Sequence, residues 1–401
     1  MKYKLSLLID SLLSSGTNFL ITFLLLKHSG AASVVSFGVA MTLSLIFLSF
    51  QRTIILIPFN LSDNKESPNL IYNFLIGSLL LFLISVIVVY LFLFFLDYSD
   101  DAIFLTFFLF SYLFSHELVR YLFMSSRGFF FPVIVSFSLF ISVIQSVFFV
   151  ELSVELLSKS YLFLLLLEMV AVLGYYLSLD KKSKLYNVEK NSLYWFSNPK
   201  LLLNRNLQSV SQLFLVHAPF LVVSSFFSSN ISAFLFVSRS IYQPVQIVIK
   251  SLEAVDQRTL SSISSGVVGF VNKISCKYLS ISFFSSLLCF FIGYFMLENF
   301  YEPALIPPIH DLIFWMVIFI SLSLIRSVEM LLIKDGLYFY MNSSYFVTGF
   351  VVVVVLFLMK AFGLYNFMTP SFIIMLGWLA LLVMLFLYYK VNYINVQNKN
   401  S

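Results

Sequence analysis

Charge is scarce in this chain: of 401 residues only 11% are Asp, Glu, Lys or Arg, while 60% are hydrophobic and 18% aromatic, with a mean hydropathy of +0.97. A soluble domain of this length could not cover itself with so few polar groups, so the composition excludes the soluble classes and leaves a membrane protein. Cysteine is nearly absent. Cys276 and Cys289 lie in or beside one apolar stretch in no paired spacing, which excludes a disulfide framework and offers no metal motif. H-E-x-x-H, G-x-S-x-G and P-loop sequences are missing, so no motif for ATP hydrolysis is present. Energy for any transport must then come from an ion gradient, the membrane potential, the cargo gradient or another protein. Long outer loops are lacking too. The longest runs from Glu298 to Asp311 (ENFYEPALIPPIHD), which weakens the enzymatic alternative of a membrane-embedded polymerase or glycosyltransferase.

What the chain has instead is long apolar runs. A bilayer core needs about 20 apolar residues per helix, and about twelve segments meet that length: Leu5 to Leu26, Ala32 to Ile57, Leu70 to Leu96, Ala102 to Met124, Phe130 to Val150, Ser160 to Leu179, Leu201 to Phe227, Ile231 to Ala254, Ile274 to Leu297, Leu312 to Ile333, Leu337 to Met359 and Thr369 to Tyr389. The first contains Asp10 and lacks a small-residue cleavage pattern, so it reads as a retained helix and not as a signal peptide. The expected fold is an all-α polytopic membrane protein.

Cytoplasmic loops carry the excess of Lys and Arg. With Lys2 and Lys4 inside, the basic connection Asp180 to Lys200 lies in the cytoplasm, followed by Arg127, Arg258, Lys273, Lys277, Lys334 and the tail with Lys390 and Lys399. Of the twenty-four basic residues only Lys27, Lys159 and Lys360 fall outside, together with Asp97, Asp100, Asp101, Glu151, Glu155, Glu298, Glu302 and Asp311. Both termini are therefore expected in the cytoplasm. The net charge of +5 is a topology signal and not a nucleic-acid footprint. The polar connection divides the chain into a six-helix bundle over 1–179, a basic linker over 180–200, a second bundle over 201–390 and a tail over 391–401. Six is even, so the two halves enter from one side and would be parallel pseudo-twofold repeats. The echo between Asn18 to Leu26 (NFLITFLLL) and Leu213 to Val223 (LFLVHAPFLVV) agrees with that.

Charges inside these runs are costly, by at least ~2.5 kcal/mol each, and usually face a protein interior or a watery cavity. Arg239 lies about 12 Å below the outer surface at 1.5 Å per residue, deeper than snorkelling covers. It either faces a cavity or makes an interhelical bond. Pro244 follows on the same span and Pro219 interrupts the preceding one. Each marks either a packing kink or a hinge. Arg326 with Glu329, and Glu117 with Arg120, sit three residues apart on one helix face each, with His116 one turn before Arg120. Arg52 ends the second span just before Pro58, where it either snorkels or faces the cavity. Glu168 lies mid-span with no basic residue within a helical turn, which suits a proton carrier and equally an acid bonded to a neighbouring helix. Asp10, Glu117, Glu168 and Glu329 are the acidic set.

The segment Leu26-Lys27-His28-Ser29-Gly30 followed by Phe37-Gly38 resembles the first-loop pattern of polysaccharide-exporting flippases. Phe236-Val237-Ser238-Arg239 through Pro244 to Leu252 and Arg258 resembles their eighth helix. With twelve spans in two halves, the chain looks like a Wzx-type lipid-linked oligosaccharide flippase of the multidrug/oligosaccharidyl-lipid/polysaccharide exporter superfamily. That resemblance implies a cavity between two bundles in which cationic side chains hold the pyrophosphate of an undecaprenyl carrier. Arg52 and Arg239 are the first candidates, Arg120 and Arg326 the second. It implies alternating access coupled to H+ or Na+, with Asp10, Glu117, Glu168 and Glu329 as titrating candidates and Pro219 and Pro244 as hinges, and no further cofactor. It also implies O-antigen or capsule biosynthesis at a bacterial inner membrane, among membrane lipids and beside a polysaccharide polymerase and chain-length regulator. An ion-coupled drug exporter of the same superfamily would want a cavity dominated by carboxylates. A major-facilitator sugar transporter would carry a basic Gly-rich loop where this chain has Asn60 to Asn69 (NLSDNKESPN). A non-transporting scaffold is the third alternative.

Overall fold

A computed structural model describes residues 2–56, 68–96, 98–124, 130–148, 152–183, 199–262, 267–301, 303–335, 337–364 and 368–391. Most of the basic linker (184–198), most of the tail (392–401), the loop over 57–67, and Asp97, Arg127, Glu151 and Glu302 lie outside the described residues. The described residues form helices and no strand. They are α1 (Lys2–Gln51), α2 (Pro68–Phe95), α3 (Asp100–Met124), α4 (Phe131–Phe148), α5 (Val154–Ser183), α6 (Pro199–Val216), α7 (Ala218–Phe226), α8 (Ser229–Ile241), α9 (Gln243–Ser262), α10 (Val267–Phe300), α11 (Ile309–Lys334), α12 (Tyr338–Ala361) and α13 (Pro370–Tyr389). Eight of these are long and apolar enough to cross a bilayer, and the bent pair α6 and α7 makes a ninth. The chain is a multi-pass helical membrane protein.

The expected spans appear as helices, the fifth (α4) as a shorter apolar one among the described residues, and three others depart with a local cause. Spans one and two share α1, whose 50 residues would reach about 75 Å, more than twice a bilayer core of ~30 Å. They are separated at Gly30, whose φ of 77° and ψ of −174° no helix contains. Side chains resist that left-handed φ, and glycine does not. Span seven is broken at His217, where α6 and α7 bend by 42°. Pro219 has no N–H to give α6 but fits the first turn of α7. Span eight is broken at Tyr242, just before Pro244, and only its first half is strongly apolar, since α9 carries Lys250, Glu253, Asp256 and Arg258. A π-helical turn, Arg52–Leu56, continues α1.

The chain forms two compact units, residues 1–29 with 36–209, and residues 30–35 with 210–401. In the first, α3 is the inner helix and packs chiefly on α5. Phe82 stacks on Phe110 with centroids 5.4 Å apart, and Phe110 meets Phe114 at 5.6 Å. In the second, α11 is central, packed on α10 and α13. Two-thirds of its apolar window (67%) is buried, against 17% for α10 and 22% for α2, whose outward faces are therefore the lipid-exposed ones.

Close approach in the second unit rests on Gly349 of α12. A Cβ there would stand 2.5 Å from the carbonyl carbon of Phe214 and 2.6 Å from the amide nitrogen of Leu215. Backbone cannot give way as a side-chain tip can, so Gly349→Ala should cost about 1–3 kcal/mol. It should lower the melting temperature of the detergent-solubilised protein. Gly174→Ala, with nothing within 4 Å of the new Cβ, should not; equal melting of the two variants would contradict the packing.

Candidate functional site

Helix α3 brings His116, Glu117 and Arg120 to one face, and the first unit closes a buried polar cluster around them. Arg120 Nε donates to Asp10 Oδ2 of α1 at 2.7 Å, its Nη2 donates to the same oxygen, and its Nη1 donates to Glu117 Oε1 at 2.8 Å. Arg52, on the π-helical turn, donates to that same Glu117 oxygen at 2.6 Å. Ser136 of α4 donates to Asp10 Oδ1 at 2.6 Å and lies 3.2 Å from Ser14 Oγ. Gln51 Nε2 donates to the Phe114 carbonyl at 3.1 Å, tying α1 to α3 once more.

His116 is the joint of the cluster. Its Nδ1 lies 2.6 Å from Glu168 Oε1 of α5 and its Nε2 lies 3.2 Å from Asp10 Oδ1. Two carboxylate oxygens on the two ring nitrogens demand a proton on each contact. Either the ring is an imidazolium, or one of the carboxyl groups is protonated. Three carboxyl groups thus face two guanidiniums, and this one shared proton makes the cluster neutral. Asp10 and Glu168 are fully buried, and Glu117 and His116 nearly so. Tyr112 lies between the His116 ring (5.5 Å) and the Tyr161 ring of α5 (5.4 Å).

The second unit holds its charges differently. Arg326 donates to Glu329 Oε2 at 3.0 Å, the intrahelical pair expected from their spacing. Arg239, in the last turn of α8, has no carboxylate within ion-pair distance among the described residues. Its Nη1 reaches only the Val216 carbonyl at 3.4 Å, and its guanidinium lies 6.0 Å from the Trp315 ring centre. The Trp315 indole is 6% exposed, and its Nε1 has no hydrogen-bond partner among the described residues. His217 Nδ1, at the break between α6 and α7, also lacks one. The helix breaks at His217 and Tyr242 thus flank the one Arg of this group that no acid answers.

Of the residues expected from the sequence, Asp10, Arg52, Glu117, Arg120 and Glu168 come together in one cluster, Arg326 and Glu329 in a pair, and Arg239 stands apart from acids. Pro219 and Pro244 lie at the two breaks. Glu168, isolated along its own helix, is not isolated in space. Of the two accounts left open for it, the structure has the acid bonded to a neighbouring helix, through His116 of α3. Arg52 does not snorkel alone, because it is paired with Glu117. The bridging role of His116, and the parts of Ser136, His217 and Trp315, are not evident from the sequence. The only local signal is the His-Glu-x-x-Arg run itself.

No protein-family model matches the chain, and no curated protein matches it. Among solved structures it is similar to the Vibrio cholerae MATE transporter VcmN in its bent form, at 11% identity and a TM-score of 0.44 over 97% of each chain. It is similar also to a point mutant of the same transporter, at 11% identity and a TM-score of 0.44, over 98% of this chain and 99% of that one. A likeness of that size assigns neither a cargo nor a site.

Proposed function

We propose that this protein translocates an undecaprenyl-pyrophosphate-linked oligosaccharide from the cytoplasmic to the outer leaflet of the bacterial inner membrane, for O-antigen or capsule biosynthesis. The observation that carries the reading is Arg239, a guanidinium at membrane depth with no acid partner among the described residues and donors to spare. A permanently charged, planar fork of donors suits phosphate oxygens, which it grips in pairs. Arg120 is spent on Asp10 and Glu117, and Arg326 on Glu329. Arg52, whose side chain is 43% exposed, ranks next after Arg239.

The first unit then carries the coupling. The proton shared by Asp10, His116 and Glu168 is the coupling ion, with Glu117 setting the charge beside it and Glu329 as a lesser candidate. Pro219 and Pro244 act as the hinges that let α7 and α8 reorient around Arg239. A drug or organic-cation exporter would need an acid left unanswered by a base. The three buried carboxyl groups of the first unit's cluster are answered by two guanidiniums and a proton, which counts against that alternative at this cluster.

The test is lipid-linked oligosaccharide in cells carrying Arg239→Ala or Arg239→Lys, with the membrane level of each protein checked. The Ala variant should cut surface glycan about tenfold or more, as loss of a charge-assisted contact does, with carrier piling up on the cytoplasmic leaflet. The Lys variant should fall between. Unchanged glycan export by the Ala variant at normal expression would end the reading.

A further inference from the structure

Helices α4 and α5 follow one another in the first unit, and each gives one residue to the buried cluster, Ser136 from α4 and Glu168 from α5. Between that cluster and the α5 start the two helices part around a groove of about 260 Å³. Leu139 and Leu164, both buried, form its floor, and Ser138, Ser142, Ser160 and Phe163 form its rims. Phe137, Ile141 and Phe163 are exposed beside it, and only 28% of the apolar window of α5 is buried. The groove therefore opens on an apolar face that meets lipid. Serines in such a wall would suit a polar occupant if their hydroxyls were free, but they are engaged. Ser138 donates to the Ile134 carbonyl at 2.8 Å, Ser142 to that of Ser138 at 2.9 Å and Ser160 to that of Leu156 at 2.9 Å. The small side chains make room and leave no donor unanswered. The volume also falls below the ~300 Å³ at which pockets for compact small molecules begin, so part of an elongated apolar chain fits it better.

The mouth of the groove is charged. Lys159 lines it, five residues and so about 8 Å from the start of α5. That depth matches the headgroup layer of one leaflet, about 5–8 Å. One turn nearer the helix start, Glu155 accepts from Lys159 at 2.7 Å. The two side chains are 75% and 69% exposed, and an exposed pair at this spacing is held weakly. It can open for a ligand that answers both charges. From the helix start inward the order is carboxylate, ammonium and then apolar groove. A phospholipid with a primary amine runs in the matching order from water inward, with its ammonium outermost, its phosphate next and its acyl chains below. An anionic lipid without an amine would answer Lys159 but set its phosphate beside an unanswered Glu155.

We propose that this groove holds one phosphatidylethanolamine molecule, with its ammonium on Glu155, its phosphate on Lys159 and one acyl chain over Leu139 and Leu164. The site belongs to the other unit from Arg239 and does not depend on the proposed cargo. The experiment is native mass spectrometry of the delipidated full-length protein, titrated with phosphatidylethanolamine, phosphatidylcholine or phosphatidylglycerol of identical chains. One equivalent of phosphatidylethanolamine should be retained about tenfold more tightly than the other two, as charge-assisted hydrogen bonds allow. Choline has no N–H for Glu155, and the glycerol headgroup has no cation. Glu155→Gln should erase the preference over phosphatidylcholine, and Lys159→Gln should weaken both lipids. Ser142→Phe, which fills the groove and touches neither charge, should weaken all three. Positions 142, 155 and 159 are exposed, so the variants should melt with the wild type in detergent. Equal retention of the three lipids overturns the site, as does tighter retention of phosphatidylglycerol. A preference that survives both Glu155→Gln and Ser142→Phe does so too. A dimer that dissociates in Ser142→Phe, with no lipid retained by the wild type, would give the groove to a second copy of the chain and overturn the lipid site.

Discussion

Arg120→Ala should destabilise the first unit by about 3–5 kcal/mol, the cost of breaking a buried ion pair from one side. Three of the guanidinium's nitrogens bond acids, Nε and Nη2 to Asp10 and Nη1 to Glu117. Asp10 is fully buried, and its other oxygen is occupied by His116 and Ser136, so without Arg120 its Oδ2 loses both its bonds and only the His116 ring, shared with Glu168, is left to answer its charge. Arg52→Ala should cost far less, about 1 kcal/mol or below, because Arg52 is half-exposed and screened and Glu117 would keep Arg120. Thermal melting in detergent, read by recovery of monodisperse protein, should rank wild type, Arg52→Ala and Arg120→Ala in that order. The double variant Arg120→Gln/Asp10→Asn, neutral on both sides, should regain most of what Arg120→Ala loses. An Arg120→Ala protein that melts with the wild type would show that the cluster does not hold α1 to α3.

Much of this fold is legible because a bilayer leaves few choices. Runs of about 20 apolar residues become helices, and Pro219, Pro244 and Gly30 mark where those helices break. The pairs Glu117 with Arg120 and Arg326 with Glu329 are legible for the same reason, since helical spacing alone brings them together. What the sequence does not display is which buried charges meet across helices. Asp10 and Arg120 are 110 residues apart, and His116 and Glu168 are 52 apart. Helices such as α2 and α13 are apolar all round, with no polar stripe to reveal a facing. The opposite difficulty applies to α9, whose charges put half of span eight outside any apolar pattern. Trp315 is inconspicuous because an aromatic in an apolar run reads as packing until an arginine with no acid partner among the described residues is found beside it.

Glu168→Gln should abolish the pH dependence that the first unit otherwise confers. In the wild type, His116 faces Asp10 on one nitrogen and Glu168 on the other, with Ser136 and Tyr112 beside it, Glu117 and Arg120 on its own helix and Arg52 behind Glu117. With its shared proton this assembly is neutral; without it, one buried negative charge is left uncompensated. Stability is therefore full on the acidic side of the cluster's titration and is lost as pH rises through it, at about 1.4 kcal/mol per pH unit for one proton. A glutamine at 168 can still bond the ring through its amide, and a neutral imidazole can then donate to Asp10 alone. The charges balance with no extra proton, and the alkaline loss should disappear. Melting curves across pH, with proton release on an alkaline jump counted by a pH-sensitive dye, separate the two. The wild type should release one proton more than Glu168→Gln and lose stability in the same pH range, whereas equal release and equal alkaline loss in both would remove His116 and Glu168 as the coupling pair. If that pair drives transport, glycan export by Glu168→Gln should also cease to respond to an imposed proton gradient while the protein remains folded. Arg239→Lys, altered in the other unit, should on the same proposal export less yet keep its response to the gradient, because the change leaves the contact of His116 with Glu168 untouched.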